Sequence, residues 1–250
     1  MLINELNHTE ELEASLRNVK EELSKAVKIV TVENVPLSNL ALFTYYTPTD
    51  KDATALLQYT SGSTSRPKGV MISHQNLISN LHMLSHAFKI TPKDCLVTWL
   101  PHYHDMGLIL HFIGIVNHGG HLVFMSPQSF IGNPYSWLQL ISEYKAYFSA
   151  APNFGYNFCV KRISEEQCKT LDLSSWKVAA NGSEPIRAKT LASFYDKFSS
   201  TGLSLETLTP AYGSAEAVVG VSCLDVNKEA KILHAKKVSF EQGVLDFVEK

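Results

Sequence analysis

From Ala55 onward, short apolar segments typical of strands alternate with longer segments that have helical periodicity. The strand-like segments are Ala55–Tyr59, Cys95–Leu100, His121–Ser126, Tyr147–Ala151, Lys177–Gly182 and Glu206–Thr209. Helices are expected over His74–Phe88, Met106–Asn117 and Ile186–Ser200, and another should open with Asn133 as its cap and Pro134 in its first position. Strands that alternate with helices pair in parallel and are covered on both faces. The fold class is therefore α/β, with a parallel-rich sheet flanked by helices.

The residues before this alternation follow a different pattern. Leucines and valines recur at helical spacing from Leu12 to Val27, and Asn7 or Thr9 can cap the helix that this spacing predicts. A strand is expected at Lys28–Val32, followed by an irregular connector. We therefore predict three regions: 1–52 with this helix, strand and connector, 53–224 as the α/β subdomain, and 225–250 as the start of a following region.

Composition narrows the class of protein. The 250 residues are 45% hydrophobic and 18% charged, which is typical of a soluble globular chain. The formal net charge of -2 argues against a nucleic-acid partner. No apolar run approaches the roughly 20 residues of a transmembrane helix, and the N-terminus is too polar for a signal peptide. The scattered cysteines, without a C-x-x-C pair, favour free thiols in the cytoplasm.

The segment from Tyr59 to Gly69, YTSGSTSRPKG, has the composition of a phosphate-binding loop. Gly62 allows backbone amides to approach an anion, neighbouring hydroxyls can donate to phosphate oxygens, and Lys68 adds positive charge. The segment lacks the G-x-x-x-x-G-K-[ST] spacing of P-loop nucleotidases. On composition alone, a flexible polar surface loop is the alternative interpretation.

Chemically unusual residues follow several of the predicted strands, after Tyr59, Leu100, Ala151, Ala180 and Thr209. In parallel α/β folds, ligands bind beyond the carboxyl ends of the strands. This shared placement predicts a single site at one edge of the sheet.

The order of residues in YTSGSTSRPKGVMISHQNL closely resembles the signature loop of the adenylate-forming superfamily. Four later segments resemble successive motifs of fatty acyl-AMP ligases within it: LPHYHDMGLI, APNFGYNFCVKRI, LDLSSWKVAANGSEPIR and PAYGSAEAVVGVS. The HDMG element and the PNF-Y--C run are the most characteristic of that branch. The resemblance spans about Ala55–Ser222 in unbroken order, and implies that the chain is part of the large N-terminal domain of such an enzyme.

The resemblance also implies a role for individual residues. Phosphates of ATP would be held by Thr60, Ser61, Gly62, Ser63, Thr64 and Lys68. The adenine pocket would be lined by Asn181, Gly182, Ser183, Glu184 and Pro185, with Tyr212 stacked on the ring and Gly213 and Ser214 beside it. Glu216 would help to bind Mg²⁺. His104 and Asp105 would sit beside the acyl carboxylate and the α-phosphate.

The implied activity is ATP-dependent activation of a fatty acid as an acyl adenylate with release of pyrophosphate. It needs no general base, because a fatty carboxylate is already ionised at neutral pH. Lys68, Mg²⁺ and oriented amides would relieve the repulsion between this anion and the nucleotide, and Lys68, His104 and Glu216 are the candidate catalytic residues. The implied cofactors are ATP and Mg²⁺. The implied acceptor is an acyl carrier protein and not free coenzyme A.

Some residues depart from the family pattern, or invite other interpretations. Ser65 stands where the family usually has glycine, and Ser183 and Ser214 where alanine and leucine are common. The stretch His102–Asp105 lacks the spacing of a hydrolytic zinc site. No serine lies in a G-x-S-x-G context, which argues against a serine hydrolase.

Proteins with these motifs continue into a ribose-binding aspartate, a hinge and a small domain with a catalytic lysine, none of which is recognisable here. We therefore expect the chain to be part of a larger protein, to bind ATP weakly by itself and not to turn over. The alternatives are a fragment of an acyl-CoA synthetase or of a peptide-synthetase adenylation domain, or a nucleotide- or acyl-binding module without turnover.

Overall fold

The computed structural model of the chain describes residues 50–60 and 68–248. These residues belong to one compact unit that begins at Asp50. The helix predicted over Leu12–Val27 and the strand predicted at Lys28–Val32 lie outside the described residues, and so does most of the loop that follows Thr60. The predicted boundaries near residues 52 and 224 stay predictions.

The first two strands form an antiparallel hairpin, β1 (Thr54–Thr60) and β2 (Lys68–Ser73), that is separate from the main sheet. The strand predicted over Ala55–Tyr59 is present, but the expectation that it is buried in the parallel sheet is wrong. The side chains of Leu57 and Tyr59 are 54% and 70% exposed. A short apolar run does not distinguish a buried strand from one strand of a half-exposed hairpin, because the number of covered faces depends on tertiary packing.

The main sheet has six strands in the order β4-β3-β5-β6-β7-β8. They are β3 (Cys95–Thr98), β4 (His121–Phe124), β5 (Phe148–Pro152), β6 (Val178–Gly182), β7 (Leu208–Tyr212) and β8 (Ser222–Cys223). Strands β3 to β7 pair in parallel, and β8 adds an antiparallel edge to β7. Every residue of β3 and β6 is buried, as expected for strands covered on both faces. The α/β class is confirmed.

Helices flank this sheet. They are α1 (His74–Phe88), α2 (Gly114–His118), α3 (Pro127–Gly132), α4 (Tyr135–Glu143), α5 (Asn153–Arg162), α6 (Glu165–Cys168) and α7 (Ala188–Phe198). A further short helix, α8 (Lys237–Glu241), lies near the end of the chain. Helix α1 has the bounds that its periodicity predicts, and a capping box between Ser73 and Asn76 fixes its start. A short hairpin, β9 (His234–Ala235) and β10 (Phe247–Val248), lies near the end of the chain.

The helix expected over Met106–Asn117 is partly a π-helix. Residues Met106–Ile113 have π geometry, and α2 continues from them until Gly119, whose φ of 74° ends the helix. Inside this segment the His111 ring lies with Nδ1 2.8 Å from the carbonyl of Met106, five residues back. Helical periodicity alone does not predict this wider turn, which is often found at functional sites.

Two other elements differ from the expectation. Asn133 ends α3, a helix that the sequence did not predict, and its side-chain amide donates to Ser136 Oγ instead of capping α4. The strand expected at Glu206–Thr209 is shifted toward the C-terminus, because Leu205–Thr207 form a single 3₁₀ turn ahead of β7. This shift carries β7 through Tyr212, one of the predicted site residues.

Candidate functional site

A cavity of about 170 Å³ opens where β6 and β7 end and the π-helix begins. Six of the residues predicted for the site line this cavity: His104, Asp105, Gly182, Ser183, Tyr212 and Gly213. They come from three separate motifs, which the topology brings together because the carboxyl ends of parallel strands meet at one edge. The remaining lining residues are Leu84, Phe88, Met106, Leu110, Ala180, Ala211, Val219, Gly220 and Ser222.

His104 and Asp105 form an ion pair directly before the first residue of the π-helix, with His104 Nδ1 2.7 Å from Asp105 Oδ1. The same carboxylate oxygen accepts a 2.6 Å hydrogen bond from the backbone amide of Met106. The hydrogen bond with Asp105 raises the pKa of His104, and partial burial of the ring opposes this effect. This pair therefore favours a protonated imidazole beside the cavity.

A glycine fixes the backbone on which this pair sits. A Cβ on Gly107 would come within 2.1 Å of the carbonyl oxygen of Pro101. The amide of His104 also donates to this carbonyl, over 3.1 Å. The glycine of the HDMG element is therefore needed for close backbone approach, which is a packing reason that the motif alone does not reveal.

Ser183 follows β6 with a φ of 65°, a left-handed conformation that few residues other than glycine adopt. Its hydroxyl donates to the sulfur of Met106 over 3.3 Å. This contact joins the end of β6 to the start of the π-helix, directly after the His104–Asp105 pair. Gly182, just before it, lies close to the chain of β7, since a Cβ there would be 3.0 Å from the carbonyl of Ala211.

The other residues predicted for the adenine pocket lie elsewhere. Asn181 is fully buried, and neither its side-chain oxygen nor its nitrogen has a hydrogen-bond partner among the described residues. Glu184 accepts a 2.5 Å hydrogen bond from the backbone amide of Phe154, at the start of α5. Pro185 is exposed. None of the three lines the cavity, and their part in binding stays a prediction.

The PNF-Y--C run is hydrogen-bonded to β6 and to the residues that follow this strand. Asn153 Oδ1 accepts from the amide of Arg187 over 3.1 Å, and the Tyr156 hydroxyl donates to the carbonyl of Ala180 over 2.9 Å. With the bond between Glu184 and Phe154, these contacts hold two predicted motifs against each other. They give this run a structural part in the site.

Tyr212 presents a largely exposed ring, 64% accessible, at the wall of the cavity. The next residue must be glycine, because a Cβ on Gly213 would lie 1.8 Å from the carbonyl oxygen of Val219. Ser214 follows outside the cavity, and Glu216 lies in a short 3₁₀ turn, Ala215–Ala217. Glu216 lines a separate groove against residues of β2 and α1.

The hairpin of β1 and β2, whose strands flank the predicted phosphate loop, lies next to this region. Thr60 and Lys68 are opposite each other in the register of β1 and β2, and Ser61, Gly62, Ser63 and Thr64 lie outside the described residues. Tyr59 shares a second cavity with His104 and Asp105. The hairpin thus approaches the His104–Asp105 pair. Lys68 is exposed at the start of β2, and its convergence on the same cleft stays a prediction.

The structure also bears on metals and membranes. Within residues 50–60 and 68–248, no group of three or more His, Cys, Asp or Glu side chains is arranged to hold a metal ion. The exposed carboxylate of Glu216 nevertheless fits Mg²⁺, which binds proteins through one or two carboxylates and completes its shell with phosphates and water. The described part of the chain contains no helix that is long and apolar enough to cross a bilayer.

Residues 2–241 match the family model described as AMP-binding enzyme. The medium-chain-fatty-acid–[acyl-carrier-protein] ligase TtuA of Teredinibacter turnerae is 42% identical over 200 residues, which cover 80% of this chain and 31% of that protein. The ligase of the same description JamA, of Moorena producens, is 42% identical over 194 residues, covering 78% of this chain and 33% of that protein. The chain therefore spans about a third of the length of these curated relatives.

Solved structures agree in fold. The fatty acyl-adenylate ligase from L. pneumophila, in complex with acyl adenylate and pyrophosphate, superposes with a TM-score of 0.84 at 39% identity, over 92% of this chain and 41% of that one. A fatty acid AMP ligase from Legionella pneumophila gives a TM-score of 0.85 at 36% identity, over 97% of this chain and 46% of that one. These matches confirm the resemblance that the motifs indicated.

Proposed function

Because the chain belongs to the AMP-binding enzyme family, we propose that it forms the nucleotide-binding part of an enzyme that activates a fatty acid as an acyl adenylate. Pyrophosphate is the second product, and the acyl group passes to an acyl carrier protein. The observation that carries the proposal is the cavity shared by His104, Ser183 and Tyr212, which lies where parallel α/β folds bind ligands.

In this proposal Tyr212 stacks on adenine through its exposed ring face, with Gly213 and Ser214 beside it. The segment that ends β6 borders the base, with Gly182 and Ser183 in the cavity wall and Asn181, Glu184 and Pro185 around them. Thr60, Ser61, Gly62, Ser63, Thr64 and Lys68 hold the phosphates. Glu216 is the carboxylate that would hold Mg²⁺, whose charge lowers the repulsion between phosphate oxygens and the incoming acid.

His104 has a defined part in this scheme. The Asp105 carboxylate raises the pKa of His104 and so favours the charged form of the ring that faces the cavity. A fatty carboxylate is an anion that must approach a polyanionic nucleotide, and a positive charge placed beforehand lowers the cost of that approach. No proton has to leave the acid, so His104 orients and neutralises without acting as a base.

The acid and the acceptor are inferred from the relatives. TtuA and JamA are described as ligases that join medium-chain fatty acids to acyl carrier protein. A relative from Mycobacterium tuberculosis, 40% identical over 180 residues, covering 69% of this chain and 28% of that protein, is described as a 4-hydroxyphenylalkanoate adenylyltransferase. The panel of test acids therefore includes aryl alkanoates as well as fatty acids.

All four cysteines are free thiols, which supports a cytoplasmic setting.

The test uses the protein encoded by the whole natural reading frame of this chain. It measures the release of pyrophosphate from ATP in the presence of Mg²⁺ and each acid of the panel. We expect release that depends on acid, and a loss of about 10²- to 10³-fold in Lys68→Ala, the cost typical of one charge-stabilising group. Lys189→Ala, which removes an exposed lysine on α7 far along the chain, is the matched control and should keep its activity.

Offering carrier protein and coenzyme A to the enzyme then separates the acceptors. We expect acyl transfer to the carrier only. Efficient acyl-CoA formation would favour the acyl-CoA synthetase alternative. ATP binding without any acid-dependent release would favour a nucleotide-binding module.

A further inference from the structure

The loop of residues 213–221, which runs from Tyr212 back to β8, is held by one side chain of α1. Asn80 Nδ2 donates a 2.8 Å hydrogen bond to the carbonyl of Gly220. The amide of Gly220 donates in return to Asn80 Oδ1 over 3.2 Å. A single side-chain amide thus satisfies both backbone groups of one residue, across 140 positions of sequence.

This loop has a conformation that needs outside support. Val218 has a φ of 75° and a ψ of −67°, a region that β-branched residues rarely occupy. Such geometry persists where the surroundings fix it. Inside the loop, Val219 donates to the carbonyl of Ala217 over 3.0 Å, and Val221 donates to that of Tyr212 over 2.9 Å. These bonds are local, so the pair at Gly220 is the polar anchor that joins the loop to another element of the described fold.

Residues of the anchored loop line both the cavity and the groove of Glu216. Gly213, Val219 and Gly220 line the cavity next to Tyr212. Glu216 lines a separate groove, whose walls include Asn80 itself. The loop therefore joins the proposed adenine contact to the proposed magnesium ligand, and its position sets the distance between them.

Helix α1, which holds the loop, is adjacent in sequence to the β1–β2 hairpin. Helix α1 begins directly after β2, the strand that follows the phosphate loop, and Asn80 lies in its second turn. Asn80 thus connects the helix that follows β2 to the loop that carries Glu216. Apolar packing adds to the contact, because Leu84 of α1 lies so close to Gly220 that a Cβ there would be 2.4 Å from Leu84 Cδ2.

We propose that Asn80 is a positioning residue for nucleotide binding: its amide group holds the 213–221 loop so that Tyr212 and Glu216 act on one bound nucleotide. The inference rests on the proposed function and adds a residue to it. Asn80 itself need not touch the nucleotide. Its effect passes through the backbone of Gly220.

The test compares Asn80→Ala with Gln75→Ala, which removes an exposed amide side chain from the same helix. Hydrogen exchange of residues 213–221 reports whether the loop is released, and calorimetric titration with ATP and Mg²⁺ reports affinity. We expect Asn80→Ala to speed exchange in this loop and to weaken ATP binding about tenfold, the effect of losing about 1.4 kcal/mol. Gln75→Ala should change neither quantity.

A second variant keeps the inference testable if Asn80→Ala does not fold. Asn80→Asp retains an acceptor for the Gly220 amide but has no N–H for its carbonyl, so its exchange and affinity should be intermediate. Unchanged ATP affinity in a folded Asn80 variant whose loop exchanges faster would overturn the inference alone. Failure of the unaltered chain to bind ATP would overturn the proposed function, and the inference with it.

Discussion

The hydroxyl of Tyr156, on α5, donates a 2.9 Å hydrogen bond to the carbonyl of Ala180, in the middle of β6. Both residues are buried, and burial holds the pKa of Tyr156 well above its usual value. This bond therefore joins the helix of the PNF-Y--C run to the strand that ends in Gly182 and Ser183.

Removing that hydroxyl should destabilise the fold. Tyr156→Phe leaves the ring in place but deletes one buried hydrogen bond, which typically costs about 0.5–1.5 kcal/mol. Urea unfolding measures the change. Tyr195→Phe, on α7, is the control, because its hydroxyl has no hydrogen-bond partner in the described part of the chain; its effect should stay within about 0.5 kcal/mol. Equal stability of the two variants would contradict a stabilising role for the Tyr156 bond.

His111 should make stability depend on pH in the acid range. The ring is fully buried against Phe148, and burial lowers its pKa to about 4. Since the carbonyl of Met106 can only accept, Nδ1 donates to it, and Nε2 is left without a partner among the described residues. The folded state therefore holds a neutral imidazole, which an unfolded chain would protonate below about pH 6.5.

Proton uptake by the unfolded chain decides in which direction stability changes with pH. Between pH 6.5 and 4 the unfolded chain binds the proton that folded His111 refuses, so the contribution to stability is complete above about pH 6.5 and is lost as pH falls toward 4. The expected loss is roughly 3 kcal/mol. His111→Gln should flatten this part of the curve of unfolding free energy against pH. His86→Gln, which removes an exposed histidine of α1, should leave the curve unchanged.

Asp105 should control the charge on His104. Asp105→Asn keeps an oxygen that can accept from the Met106 amide but removes the negative charge beside the ring. The pKa of His104 should then fall, since its main upward cause is gone while burial still opposes the charge. An NMR titration of the imidazole measures the change. A His104 pKa that does not move on this substitution would show that the pair is not what sets the charge at the cavity.

Gly213 should tolerate no side chain. Gly213→Ala places a Cβ 1.8 Å from the carbonyl oxygen of Val219, and relieving that clash must move the loop beside Tyr212. Thermal unfolding should show a loss of stability of about 1–3 kcal/mol, the range for overpacking. Gly132→Ala is the matched control, because a Cβ there meets nothing within 4 Å. A Gly213→Ala protein as stable as the control would mean that the loop is not as tightly packed as described.

Much of the fold follows from local sequence patterns. The periodicity of His74–Phe88 predicts α1 with its observed bounds, and the apolar segments at β3, β5 and β6 predict strands because both of their faces are buried. The hairpin was not predictable in this way, since exposure of Leu57 depends on which elements pack beside it. The π-helix was missed because its wider turn depends on a buried contact of His111.

Local sequence likewise predicts one part of the candidate site and not the other. Placing unusual residues at strand ends predicts that His104, Gly182 and Tyr212 gather at one edge of the sheet, and they line one cavity. Local sequence does not reveal that Glu184 accepts from the amide of Phe154, or that Asn80 anchors a loop 140 positions away. Such partners are set by tertiary geometry, which no short motif encodes.

The proposed function requires this cavity to bind an acyl adenylate. Calorimetric titration of the chain with a stable acyl-sulfamoyl adenosine tests it most directly, with Tyr212→Ala as the site variant. Tyr144→Ala, which removes a tyrosine exposed at the end of α4, is the matched control. We expect saturable binding that Tyr212→Ala weakens at least about tenfold, corresponding to about 1.4 kcal/mol, and that Tyr144→Ala leaves unchanged. Absence of binding, or binding indifferent to Tyr212, would contradict it.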